Sequence, residues 1–445
     1  MRDHHRTPEG SRAAVPAPLA RARPVAPLFE VEEERLPNGI TLLLAPDPEV
    51  PVFTIMLWVP AGRRTEAPGG SGISHYLEHC FSLGTRKLAP REIDRIVQDL
   101  GGRKNAGTGW DYTCYYESLP SAGLERIIAI EADRFVGLAP PTERLASELD
   151  VVREERRRMT DNSLWGTAFE RLIGLAWPDH PYGRHVVGTA EDLAAMTPEK
   201  LLAYYRRHYT TDNATYVLAG GFDPAQARRL FADRFSGIPR GRKPVVEVPV
   251  ETNTAGEHRA EIRRRTARLP RIAVCWMTVD CNHEDVAALD VLVTELADGR
   301  ASRFDRVLQR DRQLIAGHDT WLDQRVDGGA LFFSAEARPG VTPAAIESAL
   351  GDLIEEVVAA GVAEPQRLRA LRRSEIGFLA SMETTHGRAR ALGLAAVTSR
   401  RGWRDAFERL DRLREVTSED LRRVAARYLV PERRRVVIVY PEEVA

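Results

Sequence analysis

Short apolar runs separated by turn residues dominate the start of the chain. The pair Asn38-Gly39 lies between residues 29–35 and the apolar run 40–45, and a longer apolar run follows at 52–59. Runs of this kind on either side of an Asn-Gly pair are typical of β-strands joined by a tight turn. A glycine-rich break at 69–72 ends the pattern, and we expect a helix after it.

Helix and strand signals continue to alternate beyond this point. The pattern predicts a helix at 91–100, an aromatic strand region at 104–119 and mainly helix at 123–158. The glycines at 101 and 102 are expected to end the first of these helices.

One order of signals occurs twice. Thr197 and Thr417 each precede a helical pattern that is followed by a break and a strand, at 215–219 and 435–440. Because Thr is a common helix cap, this likeness alone is a weak indication of a repeat. We expect one ancestral unit used twice, with helices that differ by one residue and a connector rich in Pro and Gly between the copies.

Composition excludes few functions. The chain has 445 residues and a formal net charge of −1, with 43% hydrophobic and 29% charged residues. This length predicts two or three domains, or one domain that has been duplicated. The charge balance gives no reason to expect a nucleic acid or a membrane surface as partner. We expect the arginine runs at 156–158 and 433–435 to be solvated.

The cysteines and the first residues bear on localisation. The four cysteines form no C-x-x-C pair, so we expect reduced residues in a cytoplasmic protein. The sequence has no apolar run of eighteen residues that would predict a membrane-spanning helix. Residues 1–28 are rich in Pro, Ala and Arg, and we expect a disordered tail rather than a mitochondrial leader, because the prolines would break a leader helix.

The segment 75–79 has the sequence H-Y-L-E-H and carries the candidate chemistry. On a helix, His75 and His79 lie on one face, so both imidazoles can reach one Zn²⁺ ion. Glu78 lies on the same side and can act as the general base that activates a water molecule. This H-x-x-E-H order is known in zinc peptidases. The alternative without a functional role is two surface histidines that flank a glutamate.

A third metal ligand is expected from an acidic residue on a second helix, because catalytic zinc sites usually have three protein ligands. Glu154 and Glu155 are both candidates, and neighbours on a helix point about 100° apart. Glu148 shares a helix face with Glu155, which favours Glu155 as the ligand and Glu148 as a carboxylate that orients a histidine. The alternative is that these acids pair with the arginines around them.

Several motifs together resemble those of a known family, the pitrilysin/insulysin-type metallopeptidases, which include mitochondrial processing peptidases and small bacterial relatives. The resemblance covers nearly all of the chain after residue 29. Besides the H-x-x-E-H segment, it rests on Asn38-Gly39, Ala61-Gly62, Gly84-Thr85, Asn105-Ala106, Tyr115-Tyr116, His180-Pro181-Tyr182-Gly183 and Gly188-Thr189.

The resemblance implies an α+β fold with two similar halves that pair as half of a clamshell. Each half is expected to be an open, mostly antiparallel sheet with helices on one side. Residues 29–238 would form the zinc-bearing catalytic domain, 239–250 a linker, and 251–445 a homologous domain without a zinc motif.

The resemblance also implies site residues and a substrate class. In the family the third ligand commonly lies about 76 residues after the second histidine, and this spacing again selects Glu155. Asn105 and Ala106 match positions that contact an unfolded peptide, which adds to the sheet as an extra β-strand. The alternative for Asn105 is a plain turn residue.

One stretch departs from the family pattern. Active relatives carry an Arg and a Tyr seven residues apart that hold the substrate carbonyl, and here Gln309 and Ala316 stand in their places. Arg310 or Arg312 could replace the arginine after a shift of register, but no tyrosine follows. Ala316 can donate no hydrogen bond to an oxyanion.

The sequence therefore predicts a zinc-dependent endopeptidase that cleaves short unfolded peptides. We expect it to be the H-x-x-E-H subunit of a heterodimer, with a homologous partner subunit supplying the Arg/Tyr pair. The alternatives are a non-catalytic assembly subunit of a peptidase-like complex and a presequence-processing subunit.

Overall fold

The computed structural model describes residues 28–252 and 255–442, and these residues form two β-sheets with helices around them. The tail predicted for 1–28 lies outside the described residues except for Leu28. The described part of 239–250, where a linker was predicted, contains no helix or strand. No helix within the described ranges is long and apolar enough to cross a membrane.

The first half contributes six strands and eight α-helices among the described residues. They are β1 (Glu32–Arg35), β2 (Thr41–Pro46), β3 (Val52–Val59), α1 (Ile73–Cys80), α2 (Glu92–Asp99), β4 (Arg103–Thr108), β5 (Thr113–Pro120), α3 (Leu124–Gly137), α4 (Thr142–Arg156), α5 (Leu164–Ala176), α6 (Ala190–Ala194), α7 (Pro198–His208), β6 (Thr215–Gly220) and α8 (Pro224–Phe235).

The second half contributes five strands and six α-helices in the part of the chain that the structure covers. They are β7 (His258–Arg264), β8 (Arg271–Met277), α9 (Val286–Ala297), β9 (Ile315–Asp323), β10 (Ala330–Ala337), α10 (Pro343–Ala360), α11 (Glu364–Ser381), α12 (Thr385–Thr398), α13 (Asp405–Arg414), α14 (Ser418–Tyr428) and β11 (Arg434–Pro441).

The two sheets have the same topology over five strands. The first has the order β1-β2-β6-β3-β5-β4, and the second has the order β7-β11-β8-β10-β9. In each sheet one pair is parallel, β2 with β6 and β7 with β11, and the other pairs are antiparallel. The predicted α+β fold of two similar, mostly antiparallel halves is therefore confirmed.

The repeated helix and strand lie at equivalent places in the two sheets. Thr197 and Thr417 each cap their helix by accepting a hydrogen bond from a backbone N–H inside its first turn. Both helices, α7 and α14, have 11 residues. The expected difference of one residue was therefore wrong, and the two copies match in length.

Side chains alternate between the two faces of each strand, and both faces of β3 are buried. Phe53, Ile55 and Leu57 belong to the core formed with the first half's own helices, whereas Met56 and Trp58 point to the opposite face. A strand with two apolar faces needs a covering layer on both sides.

Each half covers the second face of the other half's sheet. Helix α12 packs on β3 and β6 of the first sheet, and α5 packs on β8 and β11 of the second. Trp58 and Leu392 of α12 therefore belong to one continuous apolar cluster, and Phe332 and Leu172 of α5 belong to another. The halves are joined by this exchange of helices, which the sequence reading did not predict.

A buried arginine strengthens the contact between the halves. The Arg325 guanidinium carbon lies 3.7 Å from the ring centre of Trp110, 4.2 Å from that of Trp177 and 4.9 Å from that of Tyr182. Aromatic faces attract a cation electrostatically. Its Nη2 also donates to Asp323 at 2.6 Å, so the cation is both stacked and paired.

The neighbouring Asp327 joins the second half to two residues of the first. It accepts hydrogen bonds from Arg64, with Nη2 at 3.0 Å, and lies 3.2 Å from Nε2 of His180. Burial opposes the charge on Asp327, but the hydrogen bonds from His180 and Arg64 outweigh it and lower its pKa to about 2. The carboxylate is therefore ionised across the physiological range.

Two arginines that we expected on the surface are buried. Arg156 forms a bidentate pair with Glu170 and donates to the carbonyl of Gly188 at 2.6 Å. Arg435 is fully buried and donates to the carbonyl of Leu175 at 3.1 Å. The expectation of solvated arginine runs was wrong at these two positions, where carbonyl and carboxylate oxygens accept hydrogen bonds from the buried guanidinium groups.

The close contact between α12 and the first sheet predicts opposite effects for one substitution at two helical glycines. A Cβ at Gly393 would lie only 2.0 Å from Nε1 of Trp58, whereas a Cβ at Gly351 in α10 would meet nothing within 4 Å. We expect Gly393→Ala to lower the free energy of unfolding by about 1–3 kcal/mol through overpacking. The matched control Gly351→Ala should raise it by about 0.5–1 kcal/mol through helix propensity.

Denaturant or thermal unfolding of both variants and the unchanged chain measures this difference. Equal stability of the two variants would show that α12 does not pack this closely on Trp58.

Candidate active site

The helix that carries the histidines begins at a turn held by a buried carboxylate. Gly72 precedes α1 with a φ of 89°, in the left-handed region that favours glycine. Glu66 accepts hydrogen bonds from the backbone N–H groups of Gly72 and Ser74, each at 2.9 Å. These N–H groups at the start of a helix have no partner within it. Arg63 pairs with Glu66 at 2.8 Å, so the buried carboxylate is balanced.

A second helix, α4, faces α1. Tyr76 of α1 donates to the carbonyl of Leu145 in α4 at 2.7 Å, and Leu77 and Val152 are both buried in the core of the first half. This packing sets the distance between the two helices. The side chains of α4 that follow Leu145 can therefore reach the histidines of α1.

The structure brings His75, His79 and Glu155 together. Glu155 Oε2 lies 3.7 Å from His75 Nε2 and 3.4 Å from His79 Nε2, and one ligand atom of each residue lies within 4.8 Å of those of the other two. Zinc–ligand bonds of about 2.0–2.1 Å in tetrahedral geometry place ligand atoms about 3.3–3.4 Å apart. Two imidazole nitrogens and a carboxylate oxygen at these separations fit a zinc ion.

The two neighbouring glutamates of α4 differ in their surroundings. Glu154 is exposed and pairs with Arg157 at 2.6 Å. Glu155 instead points at the histidines. The two side chains thus point in different directions, as neighbours on a helix do.

Glu148 lies on the same face of α4 as Glu155 and contacts His79. Its Oε1 is 2.9 Å from Nδ1 of His79. A carboxylate at Nδ1 fixes the histidine tautomer and leaves Nε2 free to act as a ligand. Nδ1 of His75, by contrast, is buried without a hydrogen-bond partner among the described residues.

The two histidines have opposite protonation tendencies. Burial, followed by the charge of His79, lowers the pKa of His75 to about 4. Burial opposes the charge of His79 as well, but hydrogen bonds to Glu148 and Glu155 outweigh it and raise its pKa to about 9. A proton on His79 therefore balances Glu155 when no cation is bound, and a metal ion would take over that role.

Glu78 lies beside this group and contacts the edge of the sheet. Thr108 Oγ1 donates to Glu78 Oε2 at 2.6 Å. Burial raises the pKa of Glu78, while the hydrogen bond from Thr108 and the charge of His79 act in the opposite direction. A carboxylate with a raised pKa is a better proton acceptor, as a general base requires.

The edge strand β4 borders a cavity of about 700 Å³ that reaches Glu78 and His79. Asn105 and Ala106 line this cavity and pair with Tyr116 and Tyr115 of β5, so they lie in a strand and not in a turn. Asn105 is exposed. Since β4 ends the first sheet, one side of its backbone faces no other strand of the structure's described part.

The second half has no comparable metal group among the residues that the structure describes. Helix α9 follows β8 as α1 follows β3, and it contains no histidine. Gln309 lies on a π-helical turn and Ala316 is exposed near the start of β9. The two arginines nearest to Gln309 are engaged elsewhere.

Those two arginines have partners within the second half. Arg310 donates to the carbonyl of Arg300 at 2.5 Å, and Arg312 pairs with Asp352 at 3.0 Å. Both side chains therefore interact with residues of the second half.

Two residues near the site were missed by the sequence reading. Thr108 could have been found, because it shares a strand face with Ala106 by alternation along β4. His185 is half-buried, contacts the ring of Trp110 and carries a pKa lowered by burial. No local pattern indicated it, since it approaches His75 only through the fold.

Family models and relatives among known proteins match most of the chain. The family model described as insulinase (peptidase family M16) matches residues 41–190, and the model described as the peptidase M16 inactive domain matches residues 195–372. An uncharacterized zinc protease of Mycobacterium tuberculosis is 27% identical over 426 residues, which cover 95% of this chain and 96% of that protein. The zinc protease PqqE of Helicobacter pylori is 25% identical over 357 residues, 80% of each chain.

A solved structure has the same fold. The crystal structure of a protease from Helicobacter pylori superimposes with a TM-score of 0.89 at 24% identity, covering 93% of this chain and 100% of that one. Two models of one family thus match residues 41–190 and 195–372, and the chain belongs to the insulinase family, peptidase family M16.

Proposed function

We propose that this protein is a zinc-dependent endopeptidase that cleaves short unfolded peptides. The observation that carries the proposal is the convergence of His75, His79 and Glu155 beside Glu78 at the edge of a sheet. A non-catalytic assembly role would not require a carboxylate base next to a complete ligand set. Relatives that match over 80% and 96% of their own length are named zinc proteases, which supports the reaction class.

Each of the site residues would have a separate role in peptide hydrolysis. Nε2 of His75, Nε2 of His79 and the carboxylate of Glu155 would hold the zinc ion, which as a Lewis acid polarises a carbonyl and makes water more acidic. Glu78 accepts the proton of the attacking water on its carboxylate and passes it to the amine that leaves. Thr108 keeps Glu78 directed at the sheet edge through its hydrogen bond.

The sheet edge explains how a peptide would be oriented. An extended peptide can add to β4 through main-chain hydrogen bonds, which are available on any sequence. Asn105 and Ala106 lie on that strand, and the cavity beside them leads to Glu78. Only an unfolded segment has its backbone free for this pairing, so the substrate class follows from the binding mode.

The protein would act as one subunit of a heterodimer. Gln309 and Ala316 supply no arginine or tyrosine, and Arg310 and Arg312 are engaged with Arg300 and Asp352. A homologous partner with the Arg/Tyr pair would add donors to the oxyanion that forms during hydrolysis, and each such donor contributes about 10²–10³ in rate.

Mutation should distinguish the role of the general base Glu78 from that of the metal ligand His79. We expect Glu78→Gln to bind one zinc ion per chain and to lose nearly all peptide hydrolysis, because the amide cannot accept a proton. His79→Ala should lose the zinc ion itself. Metal analysis and turnover of an unfolded peptide, measured on the same samples, check both results. Hydrolysis by Glu78→Gln at the unchanged rate would remove Glu78 as the base.

The carboxylate of Glu148, which contacts Nδ1 of His79, should affect the affinity for zinc and not the number of zinc ions bound per chain. Glu148→Gln keeps the side-chain volume but weakens the hold on Nδ1 of His79, and we expect zinc affinity to fall by about 10–100-fold. Competition with a metal chelator measures this change. Glu154→Gln is the matched control, since Glu154 pairs with Arg157 on the surface; an equal loss in the control would contradict the assigned role.

The proposal of a heterodimer predicts that the rate of peptide hydrolysis depends on a second protein. The chain alone should cleave peptides slowly, and an equimolar homologous subunit with the Arg/Tyr pair should raise kcat by about 10²–10³. Steady-state rates with and without that subunit measure the effect. A chain that is fully active alone would refute the heterodimer and leave the peptidase proposal intact.

A further inference from the structure

A second cavity, of about 240 Å³, lies beside β4 on the face opposite α1. Cys114 and Tyr116 line it and pack with α12, whereas the intervening Tyr115 belongs to the core on the α1 side. The metal site and this cavity therefore border the same edge strand from its two faces.

The edge strand leaves this cavity open. Gly107 and Gly109 of the β4 region line it, and a Cβ added at Gly107 would meet nothing within 4 Å. A peptide strand next to β4 would point alternate side chains to opposite faces. Every second side chain would thus face α12, and the nearest one or two would reach the space above Gly107.

Arg390 of α12 faces this space. It is exposed and lines both the 240 Å³ cavity and a larger neighbouring cavity between the halves, of about 700 Å³. No Asp or Glu lines the smaller cavity, whose other titratable groups are His386, Cys114 and two tyrosines. The positive charge of Arg390 acts on Tyr112, Cys114 and His386, which places the guanidinium close to all three.

The other arginines of the larger cavity are already neutralised. Each has a carboxylate partner, in the pairs Arg325–Asp323, Arg401–Glu408, Arg409–Asp290, Arg412–Asp405 and Arg423–Asp285. Arg390, in contrast, forms no ion pair with any carboxylate of residues 28–252 and 255–442. Its charge is available to a ligand that reaches the cavity from the sheet edge.

We propose that Arg390 forms a specificity subsite for a carboxylate of the bound peptide, the side chain of Glu or Asp at a position that faces α12. The inference rests on the proposed function in one respect, the addition of a peptide strand to β4. A guanidinium can bind a carboxylate through two parallel hydrogen bonds. The aromatic walls, with Trp58 and Tyr116, reduce the water around that pair and so strengthen it.

The same chemistry would also accept the carboxylate at a peptide C-terminus, and the test distinguishes the two sources. One peptide is prepared with Glu, Gln or Lys in turn at each position around the cleaved bond, and each version with a free or an amidated C-terminus. The zinc-loaded full chain is used, together with its partner subunit if hydrolysis requires one. The readout is the ratio of kcat/KM for the Glu and Lys versions.

We expect the Glu version to be preferred by about tenfold at one or two alternate positions, with the same preference on the amidated peptides. Arg390→Glu should invert this ratio, and Arg390→Gln should bring it near one. Arg372→Glu is the matched control, because Arg372 is an exposed arginine of the adjacent helix α11 and lines neither cavity. The control should keep the ratio of the unchanged chain.

Binding provides a second readout that does not need hydrolysis. Zinc-loaded Glu78→Gln, with and without Arg390→Glu, is titrated against the fluorescent Glu and Lys peptides, and anisotropy gives the Kd values. Inverted binding selectivity, with no hydrolysis by the unchanged chain together with its partner subunit, would support the subsite and refute the peptidase. Hydrolysis with equal rates for Glu, Gln and Lys would refute the subsite alone.

Two further outcomes also decide the question. A preference that disappears on amidation assigns the subsite to the C-terminal carboxylate and overturns the side-chain assignment. Absence of binding for every peptide overturns the subsite together with the proposed function. Unchanged circular dichroism and zinc content of Arg390→Glu ensure that a lost preference is not a loss of fold.

Discussion

Both sheets have apolar residues on both faces. Each half's own helices form a full layer over only one face of its sheet. An uncovered apolar sheet face would cost much of the free energy gained by folding, at roughly 25 cal/mol per Å². The chain resolves this by exchange: α12 covers the first sheet and α5 covers the second. The two halves are thereby parts of one folding unit, although each has its own sheet and its own core.

This exchange also decides what surrounds the edge strand β4. Helix α1 brings His75 and His79 to one face, and α12 brings Arg390 to the other. A helix of the second half therefore contributes to the surroundings of a site whose proposed metal ligands all lie in the first half. The stacked Arg325 and the ionised Asp327 hold the neighbouring loops at the same junction.

Charge placement follows one rule across the molecule. Buried arginines such as Arg156 and Arg435 have carbonyl or carboxylate partners, because an unpaired buried charge costs several kcal/mol. The candidate metal site obeys the same rule, since the carboxylate of Glu155 lies against His79. The rule does not apply to Arg390, because this residue is exposed to solvent.

The sequence alone determined the parts of the protein that depend on local spacing. Helical periodicity placed His75 and His79 on one face, the 100° step between neighbours separated Glu154 from Glu155, and the turn at Asn38-Gly39 marked the first strands. Only the tertiary structure decided the exchange of α5 and α12, the burial of Arg156 and Arg435, and the meeting of Thr108 with Glu78. The physical reason is that these contacts join residues 14 to more than 300 positions apart. No local periodicity indicates which apolar face or which charge from elsewhere in the chain will lie next to a given residue.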